Sequence, residues 1–361
     1  MASITGWYDP TPKGGAVRLA AHGYLPSPRD HGVRLRELRR GDLVVLEDGR
    51  VQSVNGLAPE DLAHRPEFGK LGAVHPKRML RLETPEASSQ RTADIQRVMD
   101  LVCPLGFGQR ALIVSPPKAG KTMMLQAVAE SVVLNHPDAV MLILLVDERP
   151  EEVSEMVDWG RGEVIASSFD LPHERHVAVA EMVFEHARRQ VEIGKDVVVV
   201  LDSLTRLARS HNTTGRSSGR TMSGGIDANA LAEPKALFGS ARAVPSGGSL
   251  TIIATALVET ESKMDDVIFE EFKGTGNAEL RLTRELADRR IYPAVDIDAS
   301  GTRREELLGE PAEVAGRDAL RRRLGGLPTS QAMETLLALV RRSKTNAELV
   351  AGLQEQSRGR S

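Results

Sequence analysis

Cysteine occurs once in the 361 residues, at Cys103, which excludes an intramolecular disulfide framework and a cysteine-ligated metal cluster. It reads as a small buried hydrophobe. Aromatic residues make up only 3% of the chain. Stacking a base on a ring is worth roughly 1 to 3 kcal/mol, so a chain this poor in rings would hold nucleic acid mainly through backbone phosphates. No run reaches the roughly 18 uncharged apolar residues of a membrane span, and the first thirty residues lack the apolar core of a signal peptide. The expectation is a cytoplasmic protein with no membrane association. Neither sign of charge dominates: 47 Lys and Arg face 50 Asp and Glu, a net charge of −3. The whole-chain basicity of many nucleic-acid binders is therefore missing. His173, His176 and His186 are suggestively spaced, but no cysteine or carboxylate set completes a metal geometry, so they read as surface or packing residues.

What is present is enough apolar material, 41%, for a sizeable core, and a length that suggests two or three domains. Up to about residue 84 the chain is rich in Gly, Pro and Arg, with short β-like runs at 16–19 and 43–46. Pro66, Gly69, Gly72 and Pro76 then follow in quick succession without a period, as in a segment lying across a surface. We divide the chain into a small β-domain (1–54), a linker (55–84) and a main domain (85–361). Beyond residue 92, near-continuous apolar runs at 111–115, 140–147, 197–202 and 249–257 alternate with amphipathic stretches such as 122–135 and 176–194. Strands buried on both faces read this way, which predicts an α/β fold with a parallel sheet covered on both sides.

Three of those runs end in chemistry. The first leads into SPPKAGKT at 115–122, a tight loop that opens a helix. Such a turn aims several backbone N–H groups and the positive helix end at one spot, which suits a nucleotide triphosphate. Lys121 would reach the β and γ phosphates, and the Thr122 hydroxyl would ligate Mg²⁺. The usual leading Gly is Ser115 here. The second run ends in DERPEE at 147–152, at the carboxyl end of a strand, where open parallel sheets place ligands. Glu148 is the candidate that orients and polarises an attacking water, and Arg149 could sense the same phosphate. The third run ends in Asp202, whose carboxylate would hold Mg²⁺ through its water shell, opposite Thr122. All three together predict ATP hydrolysis. A polar, Gly-rich loop at 213–225, carrying Arg216 and Arg220, resembles a contact surface for a phosphate backbone, and Lys263 sits at a predicted loop tip.

Long strings around these motifs, among them PPKAGKTM, DERPEEVSEM, LDSLTRLAR, GGIDANAL, GGSLTIIATAL, EEFKGTGN and SGTRREELL, resemble the bacterial transcription termination factor Rho family from residue 84 to about 348. Rotary ATP synthase subunits and recombinases share only the phosphate loop and the Asp strand. The resemblance implies a RecA-type P-loop ATPase core preceded by a small, reduced β-barrel of the OB/cold-shock kind. It implies a homohexamer that uses ATP and Mg²⁺ to translocate along single-stranded nascent RNA, unwind RNA–DNA hybrids and release transcripts from the RNA polymerase elongation complex.

By the same resemblance, nucleotide contacts fall on Gly106, Phe107, Gly108, Gln109, Arg110 and Ala111, and on Lys118, Ala119, Gly120, Lys121, Thr122 and Met123. Glu148 matches the catalytic glutamate and Arg149 its neighbouring nucleotide contact. Arg303 matches the arginine finger that reaches into the next subunit's site, an element worth roughly three to five orders of magnitude in rate. Arg290 matches a second junction arginine and Tyr292 an adenine-stacking ring. Arg220, Thr221, Ser223, Gly224 and Gly225 correspond to one loop of the ring's central hole, and Lys263 lies in the other. The N-terminus departs from the pattern: Gly15 and Val17 stand where the family has stacking rings, Tyr24 is retained, and the following hairpin is contracted. Arginines between Arg34 and Arg40 could replace those rings with salt-dependent phosphate contacts. A regulatory subunit of a full-length ring and a protein-translocating or rotary ATPase are the alternatives.

Overall fold

The computed structural model describes residues 3–12, 14–215 and 221–358. β1 (Ser3–Thr11), β2 (Gly14–Arg18), β3 (His31–Gly32), β4 (Leu43–Glu47) and β5 (Arg50–Val54) form an antiparallel sheet in the order β3-β2-β1-β4-β5. Successive side chains of a strand point to opposite faces. Tyr8 therefore joins Val17, Val44, Leu46 and Val54 in a small core of the sheet's own. Its neighbour Trp7 faces the other way and is sealed into the main body of the molecule.

The main body runs α1 (Gln90–Val102), β6 (Arg110–Ser115), α2 (Lys121–Asn135), β7 (Val140–Glu148), α3 (Pro150–Trp159), β8 (Glu163–Ser168), α4 (His173–Glu192), β9 (Asp196–Asp202) and α5 (Leu204–Thr214). It continues through α6 (Ala232–Gly239), β10 (Arg242–Ala243), β11 (Ser249–Leu257), α7 (Lys263–Lys273), β12 (Ala278–Leu282), α8 (Arg284–Asp288) and β13 (Val295–Thr302). Three helices, α9 (Pro311–Leu324), α10 (Thr329–Arg342) and α11 (Asn346–Arg358), follow. The sheet order is β13-β12-β6-β11-β9-β7-β8, parallel from β12 to β8, with β13 antiparallel at one edge and β10 antiparallel to β11.

The apolar runs are continuous because both faces are covered. Ala111 and Ile113 of β6, with Val198 and Val200 of β9, pack into the layer containing α1, α2 and α10. Leu112 and Val114, with Val197, Val199 and Leu201, pack into the layer containing α4, α5 and α7. The parallel strands therefore match the sequence expectation, while β8, β12 and β13 add strands that were not foreseen. Their more polar sequences carry too little apolar signal to stand out.

Residues 55–84 lie across the core. Leu62, Phe68, Leu80 and Leu82 are buried, and main-chain bridges join Val74 to Ala243 and Met79 to Gly106. The small sheet docks on α4. Trp7 is stacked between Tyr24 and His186, at centroid distances of 3.6 and 4.2 Å, and the Tyr24 hydroxyl donates to Glu163. Arg39 pairs with Glu192 at 3.0 Å and Arg40 with Glu181 at 3.1 Å. Two of the arginines expected to meet phosphates thus fasten the sheet to the core, while Arg34 and Arg36 stay exposed. No helix among the described residues is long and apolar enough to cross a membrane.

Candidate nucleotide-binding site

A cleft of about 720 Å³ opens at the carboxyl ends of β6, β7 and β11. Gly120 adopts φ +98°, a conformation that L side chains rarely take, and this turn launches α2 with Lys121 and Thr122 in its first turn. Lys118, Gly120, Lys121, Thr122 and Met123 all line the cleft, and Ala119 is buried beneath them.

Lys121 Nζ lies 3.0 Å from Glu148 Oε1 and 2.6 Å from Asp202 Oδ1. Thr255 Oγ1 donates to the same Asp202 oxygen at 2.7 Å. The three motif-bearing strands thus converge on one ammonium. Asp147 is the extra residue of a β-bulge between Val146 and Glu148 and has φ +58°. Arg206, near the start of α5, places Nη2 3.4 Å from Glu148 Oε2 and donates from Nη1 to the Asp147 main-chain oxygen.

These groups perturb one another. Burial, then the nearby Asp202 carboxylate, pushes the Glu148 carboxyl up to about 7, although Lys121 and Arg206 pull the other way. Burial works to lower the Lys121 ammonium, yet Asp202 and Glu148 outweigh it and the net shift is upward. The lysine lies between two carboxylates that would otherwise repel. An arriving γ-phosphate would compete for that cation.

Among the described residues no group of three His, Cys, Asp or Glu side chains could hold a metal alone. The Thr122 hydroxyl and the Asp202 carboxylate, beside that of Glu148, offer hard oxygen donors at the loop. That sparse set fits Mg²⁺, which keeps several waters and takes further oxygens from phosphate.

Arg149, Arg290 and Tyr292 also line the cleft, with the Arg91 guanidinium 5.0 Å from the Tyr292 ring centroid. Arg91, Glu152, Arg206 and Leu257 are lining residues that the sequence reading did not assign. Arg206 had a signal, its position four residues after Asp202 at a strand-to-helix turn. Arg91 had none, since α1 reaches the cleft only by tertiary packing.

Other expected residues lie elsewhere. Gly106, Phe107, Gly108, Gln109, Arg110 and Ala111 precede and open β6, so the strand's length, on the order of 20 Å at about 3.3 Å per residue, separates them from the loop. In this chain they pin the strand's start. Gly108 N donates to Thr251 Oγ1 at 2.8 Å and Gln109 Nε2 to Asn277 Oδ1 at 2.7 Å. Arg303 is at that same end, exposed, its main-chain N–H bonded to Asn277 O at 2.9 Å.

The two loops expected at a central hole do meet. A Cβ on Gly224 (φ +74°) would come within 2.8 Å of the Lys263 and Met264 backbone, so Ser223, Gly224 and Gly225 pack against the start of α7. Lys263 is exposed there as the first residue of α7, and Thr221 bridges to Asp227. Arg216 and Arg220 lie outside the described residues.

A parallel sheet with a phosphate-type loop, a carboxylate at each of two neighbouring strand ends and a lysine between them defines a RecA-like P-loop nucleotide-binding protein. The nucleotide-binding domain of the ATP synthase alpha/beta family matches residues 96–302. Transcription termination factor Rho of Gemmatimonas aurantiaca is 55% identical over 97% of this chain, and that of Streptosporangium roseum 50% identical over 98%. The chain belongs to the transcription termination factor Rho family. It spans 50% of the Gemmatimonas protein, 50% of the Streptomyces lividans one and 93% of the Streptosporangium one. Two solved structures share the fold. One is a prototypical ATPase from the type III secretion system of pathogenic bacteria, with TM-score 0.60 and 22% identity, covering 72% of this chain and 82% of that one. The other is assembled EscN from enteropathogenic E. coli, with TM-score 0.60 and 20% identity, covering 81% and 74%.

Proposed function

We propose that this chain is an RNA-dependent ATPase that translocates along single-stranded RNA as a homohexamer and ends transcription by releasing nascent RNA from the polymerase. The observation that carries the reading is Lys121 held between Glu148 and Asp202 at the mouth of the loop. Bound ATP would draw Lys121 onto its phosphates and leave Glu148, still beside Arg206, to orient the attacking water. Mg²⁺, held by Thr122 and through water by Asp202, would neutralise charge on the β and γ phosphates. Tyr292 offers a face for the adenine, with Arg290 and Arg149 at the rim.

The placement of Arg303 and of residues 106–111 at the opposite end of β6 supports a composite site. Arg303, exposed at that end, would then serve the nucleotide of a second copy. Ser223, Gly224, Gly225 and Lys263, clustered on one edge, would then track RNA phosphates without reading sequence.

The test is ATP turnover with and without poly(C) and poly(U) at two salt concentrations. Glu148→Gln and Arg303→Ala should each bind ATP and lose RNA-stimulated turnover. Mixing the two variants should restore activity at junctions that pair an intact Glu148 with an intact Arg303; no recovery would count against a shared site. A second reading, a regulatory subunit that joins a full-length ring, is favoured by one observation. Trp7 and Tyr24 are buried against α4 and are unavailable for base stacking. Bound ATP without stimulation by either polymer, together with mixed-ring assembly, would support it.

A further inference from the structure

His176 is fully buried on α4, and the only hydrogen bond of its ring among the described residues joins Nδ1 and Ser167 Oγ on β8, at 2.7 Å. Its Nε2 has no hydrogen-bond partner among the described residues and lies 3.8 Å from Asp147 Oδ1. A buried polar atom left short of an acceptor is costly, and here it is aimed at the carboxylate of the bulge residue. The other oxygen of that carboxylate is 3.8 Å from Arg206 Nη1, and Arg206 Nη2 is 3.4 Å from Glu148 Oε2.

A second link fixes the same two helices. His173 meets Ser210 Oγ at 3.2 Å, Ser210 donates to the Arg206 main-chain oxygen at 3.0 Å, and the His173 ring stands edge-on to His176 at 5.7 Å. Arg206 is therefore gripped from behind through Asp147 and along α5 through Ser210. When Lys121 turns to a phosphate, Arg206 is the remaining cation on Glu148, so whatever sets its direction sets the direction of the catalytic carboxylate.

We propose that His176 is a positioning residue for Glu148, acting through Asp147 and Arg206. The Ser167 hydroxyl donates to Nδ1, which leaves the Nε2 proton facing Asp147 and holds that carboxylate where it braces the guanidinium. The imidazole stays neutral in this arrangement. Burial lowers its pKa, His173 and Arg206 act in the same direction, and Asp147 and Asp170 oppose them. The proposal rests on the ATPase reading for its kinetic arm only.

That arm compares His176→Phe, His176→Gln, Asp147→Asn and the Phe/Asn double variant in steady-state ATP turnover and in fluorescent-nucleotide binding. The Phe variant should lower kcat by about 10- to 100-fold, the scale on which small misplacements of catalytic groups act, with KM and nucleotide affinity nearly unchanged. The Gln variant, which keeps a donor toward Asp147, should recover most of the rate. The double variant should be no slower than Asp147→Asn alone. Parental kcat in the Phe variant, or losses that multiply in the double variant, overturns the proposal.

The structural arm needs no turnover and covers the case in which the parent hydrolyses nothing. Crystal structures of the Phe and Gln variants should show Arg206 withdrawn from Glu148 in the first and retained in the second. An unmoved Arg206 in the Phe variant sinks the idea whatever the rates. If the Phe variant fails to fold, the Gln variant decides, since retained contact with most of the parental turnover is expected of it and a displaced Arg206 is not. A parent without ATPase activity whose Arg206 shifts as expected counts against the ATPase reading alone.

Discussion

Acidification should loosen the small sheet from the core, and His186 sets the pH range. Its Nδ1 lies 2.8 Å from the Gly41 carbonyl, which can only accept, so this nitrogen carries the proton and Nε2 is the site left to titrate. One face of the ring is stacked on Trp7. Burial lowers the imidazole from 6.5 to about 4, with Lys195 adding to the effect and Gly41 and Asp42 resisting it. Because the folded value is depressed, the unfolded chain takes up its proton first as pH falls. The contribution is fully present above about pH 6.5 and is lost between there and about pH 4. At about 1.4 kcal/mol per pH unit the whole loss is about 3 kcal/mol, of which about 2 kcal/mol has gone by pH 5. The assay is urea unfolding followed by Trp7 fluorescence in a Trp159→Phe background, where Trp7 is the sole tryptophan, at pH 8 and pH 5. His176 and His211 are also lowered by burial and push in the same direction, so the decisive comparison is with His186→Phe, which keeps a ring on Trp7 but cannot titrate. The variant should lose about 2 kcal/mol less than the parent between the two pH values. Equal losses in parent and variant would refute the reasoning.

Gly41 has φ +86°, and a Cβ there would run into the main chain of Glu185 and His186, so Gly41→Ala should undock the sheet at neutral pH, seen as a red shift of Trp7 emission in the Trp159→Phe background. ATP turnover should rise with pH through the region near 7, because Glu148 must be ionised to act and its carboxyl is pushed up to about 7; a rate already flat from pH 5.5 would show that the carboxylate is ionised throughout. Phe238 is fully buried and meets Phe272 edge-on at 6.1 Å, so Phe238→Ala should cost about 3 to 5 kcal/mol in urea unfolding, and a loss under about 1 kcal/mol would mean that the site collapses around the gap.

The loop at 115–122 and the carboxylates at 148 and 202 were legible because each follows an apolar strand, and local pattern alone fixes which end of a strand meets the helix. Arg206 and Arg91 were not, because they come from other helices and reach the cleft only through packing. The same limit holds at the N-terminus. Tyr24, retained from the family pattern, stacks on Trp7 and bonds to Glu163, 139 residues away in sequence. The arginines from 34 to 40 looked like one patch, yet two of them bond to α4, whose acidic residues no window around residue 40 contains. Residues 106–111 and Arg303 raise a different difficulty. Resemblance assigns them to a nucleotide, and the fold sets them the length of β6 away from the loop that would bind it. The proposed composite site would resolve this for Arg303, which the resemblance already sends to a neighbour's nucleotide. The Glu148→Gln and Arg303→Ala mixture therefore tests a property of the assembly that no single chain can display.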